Sequence, residues 1–309
     1  MKRMMNNVSW TLAALFALAW TSNSALAEPD GGPTPRTSWN NAKNYVLFYG
    51  PVVEADLAAL ASYDIVVIDP AAWPGSRDSR KTKIKALKDS GCFVLGYLSC
   101  FEVADWHAYK DRVEDGWKLR LDGDYWRPWG ANHAVSLAEP GFRTLLADLV
   151  KSEVLDYGCD GVFMDTLADL DHPKLPKDEQ ARQREGLARF LADLRKTRPG
   201  IRLVANWTLQ DTLSAVAPYV DAVCWENFDP ANWADKPGSP RGWMMGIRNR
   251  LAAEQAKHPF RVFTLWNVDK PGKDIAQQQA LMKTISASFG FLPYCCTNDY
   301  HNAKPTKYR

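Results

Sequence analysis

Gly161-Val162-Phe163-Met164-Asp165 is a short apolar run closed by an acid, and it follows closely on a helical pattern that ends at Gly158. A run of this kind, apolar without polar alternation, fits a parallel strand covered on both faces. Working outward, the same reading applies to Tyr45–Tyr49, Ile65–Asp69 and Phe93–Ser99 before it. After it come Arg202–Asn206, Ala222–Glu226, Arg261–Trp266 and Phe291–Cys295. Between the strands, apolar residues recur at helical spacing: Phe142, Leu145, Leu146, Leu149 and Val150 on one face, and Leu187, Phe190, Leu191 and Leu194 on another. Met244, Ile247 and Leu251 mark a third helix, and Leu281 with Ile285 a fourth. Gly91, Gly158, Gly200 and Gly290 each close a helix ahead of a strand. Eight β/α units predict an α/β fold, a single (β/α)8 barrel over 44–309 with a long Trp-rich loop after strand three. An open doubly wound sheet competes, but no GxGxxG follows the first strand.

Residues 1–27 read as a signal peptide. Lys2 and Arg3 precede an apolar stretch from Val8 to Trp20, and Ser24-Ala25-Leu26-Ala27 ends in a small-x-small cleavage pattern. The apolar stretch is too short to span a bilayer, so no membrane anchor is expected. The protein is therefore expected to be exported, to the periplasm or the medium. Residues 28–43, rich in Pro, Gly, Ser and Asn, read as a flexible leader. The chain carries 38 Lys+Arg and 36 Asp+Glu, and losing Lys2 and Arg3 leaves 36 of each sign, so the mature chain is neutral. That balance does not favour nucleic acid or an anionic membrane as partner. A monomer is expected.

Six cysteines follow the leader: Cys92, Cys100, Cys159, Cys224, Cys295 and Cys296. Their positions in apolar runs predict mostly buried thiols. If one bridge forms, Cys92 with Cys159 is the expected pair, because they begin neighbouring strands. No CxxC, HxH or HExxH occurs, and no metal or other cofactor is expected. Asp165, Asp169, Asp171 and His172 form an acidic run that reads as a solvated loop face rather than a calcium loop. There is no GxSxG, hence no sign of an esterase.

In a (β/α)8 barrel the chemistry lies at the C-terminal ends of the strands. Those positions hold Tyr49, Asp69, Ser99 with nearby Glu102, Asp165, Asn206, Glu226 and Trp266. A ring of like charges in one cleft has no packing purpose. Asp165 and Glu226 stand out, because they close strands four and six and can flank one bond, as paired carboxylates do in glycosidases. Asp69, Tyr97, Ser99, Glu102 and Asn206 are predicted to converge around them and to orient substrate. Asn206-Trp207-Thr208 matches a glycosylation sequon, but its place at a strand end points to the active site instead. The chain has 13 tryptophans among 309 residues, and Trp73, Trp106, Trp117, Trp126, Trp129, Trp207, Trp233 and Trp266 all follow strand ends or lie in the loop after strand three. Aromatic faces stack on pyranose rings and attract cations, so this distribution predicts a tryptophan-ringed mouth.

Gly96-Tyr97-Leu98-Ser99-Cys100-Phe101-Glu102, Asp160-Gly161-Val162-Phe163-Met164-Asp165 and Glu226 are similar to motifs of glycoside hydrolase family 114. The resemblance runs from about Tyr45 to Tyr300. Phe101 departs from it, standing where the family has Gly. What the resemblance implies is a secreted endo-α-1,4-polygalactosaminidase-like enzyme acting on α-1,4-linked galactosamine polysaccharide. By analogy with barrels that cut α-linkages using carboxylates on strands four and six, Asp165 is expected to be the nucleophile and Glu226 the proton donor, with retention of configuration. From their strand-end places Tyr49, Asp69, Tyr97, Ser99, Glu102, Asn206 and Trp266 are expected to bind substrate. A non-catalytic glycan-binding barrel, or a hydrolase of another α-glycan, are the competing readings.

Overall fold

The computed structural model describes residues 35–130, 132–234, 238–267, 275–296 and 300–301. Eight strands form one sheet: β1 (Tyr45–Phe48), β2 (Ile65–Ile68), β3 (Phe93–Ser99), β4 (Gly161–Asp165), β5 (Arg202–Asn206), β6 (Ala222–Trp225), β7 (Arg261–Asn267) and β8 (Leu292–Cys296). They lie in chain order and every pairing is parallel. Helices α1 (Glu54–Leu60), α2 (Arg77–Asp89), α3 (Pro140–Leu149), α4 (Lys177–Thr197), α5 (Leu213–Val216), α6 (Arg241–Gln255) and α7 (Ile275–Ser288) lie in the connections. This is the predicted (β/α)8 barrel, nearly closed.

The strands form where they were expected because nearly every position is covered. All four residues of β1, β2 and β6 are buried, the pattern of parallel strands between a packed interior and a helix layer. The predicted stripes of α3, α4 and α6 are buried too. The α7 stripe differs. Leu281 is exposed, while Gln279, Met282 and Ser286 are the buried positions. Ser286 faces the sheet because its hydroxyl meets that of Thr264 at 2.8 Å, a polar contact that hydrophobic periodicity does not register. Gly91, Gly158 and Gly290 take the left-handed conformation expected of helix-ending glycines, but Gly200 does not.

Among the described residues no ladder joins β1 to β8. Pro293 in β8 stands opposite Thr264 of β7 and has no N–H to give. The Tyr45 hydroxyl of β1 also reaches the Thr264 carbonyl of β7 at 2.8 Å. At β4 the need is for close approach: a Cβ on Gly161 would lie 1.9 Å from the Arg202 carbonyl oxygen of β5.

The expected leader differs in its described part. Residues 36–43 pack on the barrel floor. Trp39 is buried, with its ring edge-on to Phe93 and tilted against Phe263. Arg261 donates to the carbonyls of Trp39 and Ala42 at 2.7 and 2.8 Å, and Arg36 binds Asp64 and the Cys92 thiol. Composition suggested a flexible tether, but one aromatic anchor and two arginines are enough to dock it. All six cysteines are buried and unbridged, the pair Cys92–Cys159 included. Cys92 is engaged by Arg36 instead. No helix of the described residues is long and apolar enough to cross a membrane. The segment expected to be a signal peptide lies outside the described residues.

Candidate active site

Asp165 is the last residue of β4, in register with Ser99 of β3. Asn206 ends β5 in register with Cys224 of β6, and Glu226 follows β6 directly. Alternation therefore aims Asp165, Asn206 and Glu226 into the barrel mouth. The residue after each of them turns left-handed: Thr166 at φ 65°, Trp207 at 53° and Asn227 at 57°. Each such turn costs ~1–2 kcal/mol in a residue with a Cβ. It swings the chain away from the mouth at the strand's end and leaves the preceding side chain pointing inward.

Asn206 joins the two acids. Its Nδ2 donates to Asp165 Oδ1 and to Glu226 Oε2, each at 2.8 Å. Two acceptors on one amide nitrogen leave no choice of orientation, because the reversed amide would set oxygen against two carboxylates. With 2.8 Å to each from one nitrogen, these two carboxylate oxygens lie no more than about 5.6 Å apart. Each acid also has a tyrosine of its own. Tyr97 donates to Asp165 Oδ2 at 3.0 Å, and Tyr300 to Glu226 Oε1 at 2.6 Å. Tyr49 packs edge-on between Tyr97 and Tyr300, with ring centroids 5.1 and 5.7 Å away. Burial, reinforced by the charge of Asp165, raises the pKa of Glu226 above the usual carboxylate range, while the Tyr300 and Asn206 hydrogen bonds pull it back. Burial first and the nearby Asp165 second hold the Tyr49 and Tyr97 phenols firmly protonated.

The other predicted residues divide. Tyr49, Tyr97 and Asn206 converge on the acids. Asp69 does not join the hydrogen-bonded cluster: its carboxylate accepts from the Ala71 amide at 2.9 Å and caps the turn Pro70–Ala72. Ser99 is a fastener, buried, with its hydroxyl donating to the Glu102 carbonyl at 2.7 Å and meeting Thr166 Oγ1 at 3.2 Å. Glu102 is 1% exposed and so cannot line an open cleft. It accepts from Asn132 Nδ2 at 2.8 Å and lies within hydrogen-bonding reach of Asp169. Trp266 is buried, and alternation puts it with Thr264 on the helix side of β7, away from the mouth.

The acidic run is likewise not a solvated face. Asp169 is 2% exposed, its pKa pushed up to about 8 by burial and by Glu102. Asp171 accepts from Arg184 at 3.1 Å and from the Thr212 amide at 3.0 Å. The tryptophan ring is also thinner than predicted. Trp73, Trp126 and Trp266 are buried, and Trp117 packs against Phe142. Trp233 sits in an aromatic cluster with Trp225, Phe228 and Phe289. Trp106 and Trp129, at 71% and 70% exposure, remain open to solvent. Sequence reasoning missed Tyr300, Asn132 and the pairing role of Asp169. Of these only Asp169 lay within a stretch whose charge had drawn notice.

Among the described residues no group of three His, Cys, Asp or Glu could hold a metal ion. What the arrangement can do is flank one bond with two carboxylates joined through one amide, with Glu226 raised above its ordinary pKa by burial.

A family model described as glycoside-hydrolase family GH114 matches residues 22–280. Among solved structures, the glycoside hydrolase domain of PelA from Pseudomonas aeruginosa aligns with a TM-score of 0.64 and 22% identity, over 84% of this chain and 97% of that one. Ega3 of Aspergillus fumigatus, in complex with galactosamine, aligns at 0.58 and 18% identity, over 88% and 98%. An α-galactosidase of Thermus thermophilus, TtGalA, aligns at 0.53 and 16% identity, over 84% of this chain and 59% of that one. At these identities the structural matches speak to the fold. A comparison with curated proteins finds no match.

Proposed function

The chain belongs to glycoside-hydrolase family GH114, and from that premise we propose that it is an exported enzyme cleaving α-1,4-linked galactosamine-containing polysaccharide. It acts within the polymer, as a monomer, and with retention of configuration. The observation that carries the reading is Asn206, which ties Asp165 and Glu226 together on one nitrogen. Two carboxylate oxygens held within about 5.6 Å by one nitrogen favour a nucleophile and a proton donor on one glycosidic bond over the ~6.5–9.5 Å that inverting enzymes leave for a water.

In this mechanism Glu226 gives its proton to the departing glycosidic oxygen as Asp165 attacks the anomeric carbon, forming a glycosyl-enzyme ester. A water then enters, Glu226 takes its proton, and the new C–O bond releases Asp165. Glu226 suits the donor's part because burial and the Asp165 charge raise its proton affinity. Galactosamine is supported by the family and by the ligand seen in Ega3. An acid-lined mouth also suits a cationic sugar.

The test is release of reducing ends from a deacetylated α-1,4-galactosamine polymer, with NMR of the first anomer formed. Wild type should release oligosaccharides of retained configuration and Asp165→Asn should release none. A wild type that binds the polymer without cutting it would make the protein a glycan-binding barrel. Cleavage of a different α-glycan alone would reassign the substrate.

A further inference from the structure

Trp129 combines two properties that seldom go together. Its side chain is 70% exposed, yet its indole nitrogen is fixed, with Nε1 donating to Asp169 Oδ1 at 3.0 Å and to Oδ2 at 3.3 Å. Asp169 is itself 2% exposed and lies in the turn Leu167–Asp171 just beyond Asp165. Its carboxyl group reaches Glu102, which sits in the short strand Glu102–Val103 after β3. Glu102 in turn holds Asn132, three residues past Trp129, at 2.8 Å. The loop bearing the indole is thus moored at two points to a buried acid pair.

An exposed tryptophan ordinarily lies down on whatever apolar surface is near, because its large ring gains by leaving water. Here the ring stays open while a buried carboxyl group holds its edge. That arrangement does nothing for the core. It does present an aromatic face tethered to the turn Leu167–Asp171, which directly follows Asp165 and its neighbour Thr166 at the end of β4.

We propose that Trp129 is a stacking platform for a sugar ring of the bound polymer, one removed from the bond being cut, and that Asp169 is the residue that positions it. The proposal rests on the function proposed above and adds a subsite to it. The C–H face of a pyranose packs on the indole face, and a protonated amine on the sugar is drawn to the same π-system. Because Asp169 fixes the ring beforehand, binding does not have to order it. A platform beyond the scissile bond acts only on substrates long enough to reach it, which favours a polymer over a short glycoside.

The experiment compares the purified full chain and its variants on an α-1,4-galactosamine polymer and on an activated aryl α-galactosaminide. Trp129→Ala should raise KM for the polymer by about tenfold, and its loss of kcat/KM on polymer should exceed its loss on the aryl glycoside by a similar factor. Trp129→Phe keeps a ring but drops the tether, and should fall between. Asp169→Ala leaves the indole in place but frees it, and should reproduce the rise in KM. Circular dichroism confirms that each variant is folded, and Trp129→Phe carries the test if Asp169→Ala is not. A polymer KM for Trp129→Ala within twofold of wild type, or equal losses on both substrates, overturns the platform alone. A wild type that leaves the polymer uncut overturns the assigned substrate, and the platform with it.

Discussion

Tyr300 donates its phenolic hydrogen to Glu226 across 2.6 Å, a contact spanning 74 residues of chain. It mirrors the bond from Tyr97 to Asp165, so each acid has one tyrosine of its own and a share of Asn206. The Tyr300 bond favours the charged form of Glu226 and opposes the burial that raises its pKa. Tyr300→Phe removes that opposition, so Glu226 keeps its proton to higher pH. The basic limb of the kcat/KM profile, where the donor is lost, should move upward, while kcat falls by about tenfold through looser positioning. A basic limb that stays put or moves down would show that Glu226 is not the group titrating there.

The two acids should separate on substrates of different leaving-group ability. Glu226→Gln should lose ~10³-fold on polymer, where the leaving sugar must be protonated, and much less on an activated aryl glycoside. Asp165→Asn should lose both, because no leaving group replaces a nucleophile. Steady-state rates on the two substrates decide the matter, and the opposite pattern would exchange the roles.

Gly161 belongs to the run that decided the fold, and the structure supplies its reason. A methyl group there would meet the Arg202 carbonyl at 1.9 Å, backbone against side chain, with nothing flexible to yield. Gly161→Ala should force β4 and β5 apart and destabilise the barrel by about 3 kcal/mol or more. Denaturant unfolding would measure it. A cost below about 1 kcal/mol would mean that the strands can shift at little expense.

Asp169 holds a proton to about pH 8 when folded, against an ordinary value of 3.8. Its folded pKa is raised, so as pH climbs from near 4 to near 8 the unfolded chain sheds this proton while the folded one keeps it. Stability must fall across that window on this group's account. Asp169→Asn supplies an amide that can donate to Glu102 and accept from Trp129 without titrating. Its melting temperature should decline less than that of wild type between pH 4 and pH 8. Parallel curves for the two proteins would remove Asp169 from the account.

Much of the architecture was legible because buried parallel strands are written as unbroken apolar runs, and the acids that close two of them announce the mouth. Asn206 was legible for the same reason, by its place at the end of β5. Tyr300 was not, since it arrives from beyond β8 and nothing in its neighbours marks it. Composition misled at the tryptophans, because a large ring after a strand end can fold back under the helices as readily as it can face a sugar. Trp73 and Trp266 did so, while Trp129 did not. Glu102 was read as orienting substrate and Asp169 as part of a solvated loop face, and only their nearness in space shows that they are buried together. Position along the chain names the residues at the mouth, but which of them meet is settled by loops whose paths no periodicity records.

The floor of the barrel bears on how the molecule is made. The carbonyl of Trp39 is held by Arg261, 222 residues further along, and its ring leans on Phe93 and Phe263. Trp39 must therefore wait for a strand made 222 residues after it. Contacts of such long range are slow to form, so the floor is completed only after β7 has been made. Until then Trp39 has Phe93 to lean on but neither Phe263 nor the Arg261 hydrogen bond.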